Sequence, residues 1–160
     1  MKFAVTLATA GMFLMTSTGI AAAEAAGQAT EPNPLLAPWS GPHGGLPPFD
    51  KVRVELIGPA LEAGMEEQLG EIDRIANDAT PPTFDNVIAA MERSGRTLSR
   101  VLAIYSVWSS TLNDEPMQAV ERSMAPKLAA FSDRITQNEK LFARIAAVYA
   151  ARDAVGLTPE

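Results

Sequence analysis

Half of the chain's twelve prolines lie in one stretch, Glu31 to Asp50, and this stretch limits where helices can form. Proline fixes φ and removes a backbone donor, which excludes helix and disfavours strand. Five large apolar side chains occur in the same stretch: Leu35, Leu36, Trp39, Leu46 and Phe49. Because a flexible linker of this length would be polar, we predict a proline- and glycine-rich extended arm over residues 24–53. The arm should pack against a partner surface, within this chain or beyond its end.

The first 23 residues have the pattern of a secretory signal peptide. Lys2 precedes a mostly apolar run from Phe3 to Met15, and Ala21–Ala23 offers a small-residue cleavage site. The run is too short and too interrupted for a membrane anchor, and a buried N-terminal helix is the structural alternative. No cysteine follows the cleavage site for lipid attachment. We therefore predict removal of residues 1–23 and a periplasmic or secreted chain that has no membrane partner after cleavage.

Charge and cysteine content exclude several classes of function. The chain contains no cysteine, so it has no disulfide, no thiolate nucleophile and no cysteine-based metal site. Its net charge is −6, and loss of residues 1–23 removes Lys2 and no acid, which gives −7. Because such a surface repels phosphate backbones, we predict no nucleic-acid partner.

From Val54 onward, apolar side chains recur at helical intervals and predict four helices. The first helix is predicted to begin near Pro59, which suits a first turn, and to stop before Pro81. Its apolar stripe consists of Leu61, Met65, Leu69, Ile72 and Ile75. The carboxylates between these positions are interpreted as its solvated face: Glu66, Glu67, Glu71 and Asp73.

The second helix is predicted to follow the N-cap Thr83 and to run to Leu112. Two small residues in its middle, Ser94 and Gly95, are interpreted as a close helix approach or a mild bend. We expect the β-branched and hydroxylated residues 106–111 to fray.

The third helix is predicted to start at residues 113–116, with Pro126 causing a kink inside it, and the fourth to follow Asn138 and end at Gly156. Short connections favour antiparallel neighbours. The sequence therefore predicts an all-α fold, a small antiparallel helical bundle or helical-hairpin layer over residues 54–160.

No catalytic, cofactor-binding or metal-binding residue can be assigned in the chain. His43 is its one histidine, and it lies between Pro42 and Gly44 without a second histidine four residues on. A serine triad would need the same ring, and no Gly-x-Ser-x-Gly motif is present. The glycines of the arm do not open a helix, so they do not form a phosphate loop. We interpret His43 as a loop side chain.

Five ordered segments resemble the N-terminal region of bacterial peptidyl-dipeptidases, in the thimet-oligopeptidase-like zinc metallopeptidase family. They are Asn33–Leu36, Trp39–Asp50, Pro59–Leu61, Pro82–Asn86, and Ala125–Leu128 with Ser132–Asp133. The resemblance covers roughly residues 33–160. It implies a mostly helical shell around a channel, with zinc held by a His-Glu-x-x-His helix and a further glutamate toward the C-terminus.

This resemblance implies that the intact enzyme releases C-terminal dipeptides from oligopeptides. Zinc is expected in the intact family member and not in this chain, because one histidine cannot supply the motif. We therefore expect a truncated, non-catalytic helical segment whose partner is a missing catalytic lobe or a companion chain. The alternative is a stand-alone periplasmic helical module that binds a protein or peptide.

Overall fold

The computed structural model describes residues 32–42 and 45–154, and over these residues the chain is all-α, as predicted. The helices are α1 Val54–Ala76, α2 Ala90–Arg93, α3 Arg96–Thr111, α4 Glu115–Thr136 and α5 Glu139–Ala150. A π-helical turn, Phe84–Ala89, leads directly into α2. The predicted signal peptide 1–23, His43 and the predicted helix end Gly156 lie outside the described residues.

The described part of the arm is not one extended segment, so an extended conformation over residues 24–53 is not confirmed. It contains two 3-10 turns, Pro34–Leu36 and Phe49–Lys51. Asn33 fixes the first turn, since its Oδ1 accepts from the N–H of Leu35 at 3.0 Å and its Nδ2 donates to the Leu56 carbonyl at 2.9 Å. Leu35 is fully buried. The arm therefore packs within this chain through Leu35.

Helix α1 begins at Val54, five residues before the predicted start at Pro59. Proline at the sixth helical position removes the hydrogen bond to the carbonyl of Glu55, and both residues are exposed. The additional N-terminal residues include Ile57, which is fully buried. Burial of an isoleucine side chain contributes roughly 2 kcal/mol, and this helps to offset the cost of a proline inside the helix.

The predicted second helix is in fact two helices, and a mild bend at Ser94–Gly95 is wrong. Ser94 is extended, with ψ 161°, and Gly95 is left-handed, with φ 69°. Glycine adopts a positive φ without the steric cost that a Cβ imposes. The close helix approach is confirmed, because a Cβ at Gly95 would lie 2.3 Å from the Gln68 side chain.

The fraying predicted for residues 106–111 is wrong, because α3 continues to Thr111. Ser110 donates to the Ser106 carbonyl at 2.8 Å, and Thr111 donates to the Val107 carbonyl at 2.6 Å. These bonds direct the hydroxyls back onto their own helix instead of competing with it.

The helix starts predicted from capping residues are confirmed. Thr83 and Asn86 form a reciprocal capping box, Asp114 accepts from the N–H of Met117 at 3.1 Å, and Asn138 accepts from that of Leu141 at 3.0 Å. Helix α4 continues through Pro126.

Two apolar clusters pack along α1. The major cluster surrounds its first half and comprises Leu35, Ile57, Ala60, Leu61, Met65, Leu98, Val101, Ile104, Met117 and Met124. The minor cluster surrounds its second half and comprises Ile72, Ile75, Ala76 and Leu141. Ile135, near the end of α4, packs on the minor cluster. In both α1 and α4, the earlier residues pack in the major cluster and the later residues pack in or on the minor cluster. These two helices are therefore parallel.

Helix α3 is antiparallel to α1, which completes an up-and-down arrangement. A Cβ at Gly64 would lie 3.0 Å from the Cα of Leu98, while Gly95, just before α3, lies beside Glu71, later in α1. The absence of a side chain at Gly64 lets the two backbones approach closely.

Candidate docking surfaces

Two of the carboxylates interpreted as a solvated face also stabilise the start of α3. Glu71 accepts from the backbone N–H of Gly95 at 2.7 Å, and Glu67 accepts from the hydroxyl of Thr97 at 3.1 Å. Gly95 has no side chain with which to cap α3. Carboxylates near a helix N-terminus satisfy its free N–H groups and its positive dipole end. Glu66, Glu67 and Asp73 are exposed, as predicted, whereas Glu71 is partly buried.

The described residues do not fit a resident zinc ion. Within residues 32–42 and 45–154, no three histidine, cysteine, aspartate or glutamate side chains converge, whereas a catalytic zinc takes three protein ligands. The expectation that the chain has no catalytic, cofactor or metal residue stays a prediction. None of the described helices combines the length and the apolar character needed to cross a membrane.

A buried arginine joins α5 to the loop after α1. Arg144 is 7% exposed, and its Nη1 donates to the carbonyls of Asp78, at 2.6 Å, and Thr80, at 3.0 Å. Its Nη2 lies 3.4 Å from Asp78 Oδ2. The loop leads to the N-cap Thr83, so Arg144 sets the position of the π-helical turn relative to α5.

The pKa of the Asp78 carboxyl is lowered from its ordinary value, chiefly by hydrogen bonds from Thr80. The Thr80 N–H donates to Oδ1 at 2.9 Å and its hydroxyl donates to Oδ2 at 2.8 Å. Burial opposes these bonds by raising the pKa, and the positive charge of Arg144 makes a smaller lowering contribution. The loop therefore favours ionised Asp78, which complements the guanidinium of Arg144.

An apolar groove lies between α5 and the π-helical turn, and we call it the aromatic groove. Its volume is about 370 Å³, and its lining includes Pro82, Phe84, Ile88, Ile145, Val148 and Tyr149. Phe84 is 51% exposed and Tyr149 is 66% exposed. Two large aromatic side chains open to solvent beside a concave apolar floor are typical of a protein-binding surface.

A second groove, between α1 and α4, has walls of opposite charge, and we call it the charged groove. Its volume is about 660 Å³. Helix α1 contributes Glu62, Glu66 and Asp73, whereas α4 contributes Lys127 and Arg134. Apolar side chains lie between these walls, among them Met65, Leu69 and Phe131. Lys127 forms an ion pair with Glu62 at one end of the groove.

Sequence reasoning assigned no site residue and missed both grooves and Arg144. A signal for Arg144 was present, since it follows Leu141 by three positions and precedes Val148 by four, on the apolar stripe of α5. The grooves had no such signal. The stripe predicted for α5 includes Phe142 and Tyr149, yet these are 68% and 66% exposed.

Comparison with known proteins supports the resemblance found in the sequence. The chain is 34% identical over 128 residues to a dipeptidyl carboxypeptidase of Salmonella typhimurium, an alignment that covers 80% of this chain and 19% of the relative. It is 32% identical over 135 residues to the dipeptidyl carboxypeptidase of Escherichia coli, covering 82% and 19%. Oligopeptidase A of Escherichia coli is 26% identical over 110 residues, covering 69% and 15%. No protein-family model matches the chain. The chain thus spans about a fifth of the length of the dipeptidyl carboxypeptidases it matches.

Proposed function

We propose that this chain, which is homologous to the bacterial dipeptidyl carboxypeptidases, forms a helical N-terminal segment of such a peptidase and contributes architecture instead of chemistry. The observation that carries this role is the aromatic groove, an apolar surface that one side of the bundle leaves open to solvent. Surfaces of this kind bind protein, because covering them removes apolar area from water.

The reaction to which the segment would contribute is release of C-terminal dipeptides from oligopeptides. Zinc in such an enzyme polarises the scissile carbonyl and activates water. Its ligands would come from outside this chain, because the single His43 cannot form a pair one helical turn apart. The residues of this chain would hold the wall of the substrate channel, which is a structural task.

We assign the aromatic groove to contact with a catalytic lobe or a companion chain. Phe84 and Tyr149 supply large, rigid apolar surfaces of the type that dominates binding energy at interfaces. The Arg144 bonds to the loop hold the two sides of the groove together, so the surface exists before a partner arrives. Such preorganisation reduces the entropy lost on binding.

The test is a chimera of the Escherichia coli dipeptidyl carboxypeptidase in which the segment aligned with this chain is replaced by the corresponding residues of this chain. The chimera should release dipeptides, and Phe84→Glu together with Tyr149→Glu should lower its activity at least tenfold. Phe142→Glu is the matched control, because Phe142 is exposed on α5 and does not line the groove. This chain alone should cleave no peptide and hold no stoichiometric zinc.

Two results would contradict the proposal. One is chelator-sensitive hydrolysis by the purified chain alone. The other is a chimera whose activity is equally insensitive to the groove variants and to Phe142→Glu.

A stand-alone module that binds a partner through the same groove is the second candidate, and thermal unfolding distinguishes the two. A segment of a larger enzyme should melt broadly and bind a dye specific for apolar surface. A sharp cooperative melt of a monomer would favour the module.

We also propose that residues 1–23 direct export. Cell fractionation should find the chain in the periplasm, shortened to begin near Glu24, and recovery of the uncleaved chain in the cytoplasm would contradict this.

A further inference from the structure

The charged groove differs in chemistry from the aromatic groove and lies elsewhere on the bundle, between α1 and α4. Its acidic wall carries Glu62, Glu66 and Asp73, spaced so that the three share one side of the helix. From Glu62 to Asp73 this wall extends about 16 Å, at about 1.5 Å per residue. The groove therefore has the length of about three helical turns.

The basic wall runs alongside the acidic wall in the same direction. Lys127 and Arg134 are two turns apart on α4, and α4 follows α1 from the major cluster to the minor cluster. Lys127 is already paired with Glu62. In the described part of the chain, Glu66, Asp73 and Arg134 form no ion pair, although all three are exposed. Opposite charges thus face a shared apolar floor and remain open to a ligand.

We propose that the charged groove binds an amphipathic helix of about three turns from a different polypeptide. Its apolar stripe would contact Leu69 and Phe131 on the floor. One edge of this helix would be basic and lie along α1, and the other would be acidic and lie along α4. A helix laid in a groove between two helices is a common recognition mode, with apolar anchors one turn apart.

The charge pattern of the two walls identifies the occupant. A helix with one basic and one acidic edge places an opposite charge against each wall, at Glu66 and Asp73 on α1 and at Arg134 on α4. The face of α5 that carries Phe142 and Tyr149 could not do this in a second copy, because the one charged side chain between these two residues is the buried Arg144. A second copy bound through another face is an outcome of the test.

The apolar floor and the charged walls have separate roles. Exposed ion pairs add little affinity individually, so most of the affinity would come from the floor. The charges determine selectivity, because a helix with two edges of the same sign would meet a wall of like charge.

The test uses three synthetic helical peptides of about fourteen residues that share one leucine stripe. The first has lysine on one edge and glutamate on the other, the second has lysine on both edges, and the third has glutamate on both. Fluorescence anisotropy with the full chain should show the two-sign peptide binding at least tenfold more tightly than either single-sign peptide.

Charge reversal in the protein should change this order. Arg134→Glu makes that part of both walls acidic, so it should shift the preference to the peptide with lysine on both edges. Arg122→Glu is the matched control, since Arg122 is exposed on α4 and does not line the groove. Phe84→Glu should leave peptide binding unchanged, which separates this proposal from the one on the aromatic groove. Circular dichroism verifies that each variant is folded.

Three results would overturn the proposal. The first is equal binding of all three peptides, and the second is no binding. The third is a dimer in sedimentation that Arg134→Glu dissociates, which would assign the groove to a second copy.

Discussion

The two halves of α1 are held by different interactions. Around the first half, the major cluster brings together side chains from the arm, α1, α3 and α4, and six of its members are fully buried: Leu35, Ile57, Ala60, Leu61, Val101 and Met117, each at 0% exposure. Around the second half, the minor cluster has four buried members. There, Arg144 links α5 to the loop through two backbone carbonyls.

This contrast shows which end of the bundle buries more apolar surface. The major cluster packs the first half of α1 against the arm, α3 and α4, and apolar burial stabilises it. The minor end buries less apolar surface, uses polar bonds to fix its geometry, and leaves Phe84 and Tyr149 exposed. The open face therefore coincides with the end where the chain's own apolar residues are fewest, which is where a partner could add burial.

The largest expected effect is loss of apolar burial in the major cluster. Leu61→Ala should lower the free energy of unfolding by about 2–5 kcal/mol, through lost transfer energy and a residual cavity. Ile72→Ala in the minor cluster should cost less, since a smaller cluster beside an open face can relax around the truncated side chain. Urea denaturation measures both. Leu46→Ala, at a position 71% exposed, is the control. Equal losses for Leu61→Ala and Ile72→Ala would remove the distinction between the two ends.

A smaller effect is expected from removal of the arginine. Arg144→Met keeps most of the side-chain volume and leaves the carbonyls of Asp78 and Thr80 without their donor, at a cost of about 2–3 kcal/mol. Hydrogen exchange should accelerate over residues 78–89 and remain slow in α3. Arg122→Met removes the same charge from an exposed position on α4 and should change neither quantity. Uniform acceleration across all helices would show that Arg144 does not act locally.

The smallest effect concerns pH at the same loop. The pKa of Asp78 is lowered by the Thr80 hydrogen bonds, so the ionised carboxylate stabilises the fold above its unfolded pKa of about 3.9. That contribution is lost as pH falls through the lower folded pKa. The stability difference between the native chain and Asp78→Asn should therefore shrink from pH 6 toward pH 2.

Carbon-detected NMR titration of the Asp78 carboxyl checks this directly. Thr80→Val removes the hydroxyl donor and should raise the pKa of Asp78 toward its ordinary value. If the difference in the free energy of unfolding between the native chain and Asp78→Asn does not vary with pH, the role given to these bonds is contradicted.

The sequence allowed local features to be predicted where one or two residues decide them. Thr83, Asp114 and Asn138 each cap a helix through a hydrogen bond that spans three residues, so the sequence around each contains all the information needed. The start of α1 was misplaced because Pro59 is compatible with a first turn. In the structure the helix begins at Val54, because this additional turn buries Ile57 against the other elements.

The break at Ser94–Gly95 could not be read from spacing alone. The apolar residues on either side continue at helical intervals, and the sequence does not show that Glu71 accepts from the Gly95 N–H across 24 positions. The same holds for both grooves, whose walls come from elements far apart in the chain.

The sequence by itself determined the all-α fold and the helix caps, because periodicity and capping depend on residues that are close in the chain. The resemblance to peptidases and the lack of a second histidine follow directly from which residues are present. The tertiary structure decided that the arm packs within this chain through Leu35, that Arg144 is buried, and that one apolar and one charged groove open on the bundle. These features depend on which side chains meet across long separations, and the packing of α1 against its neighbours sets those contacts.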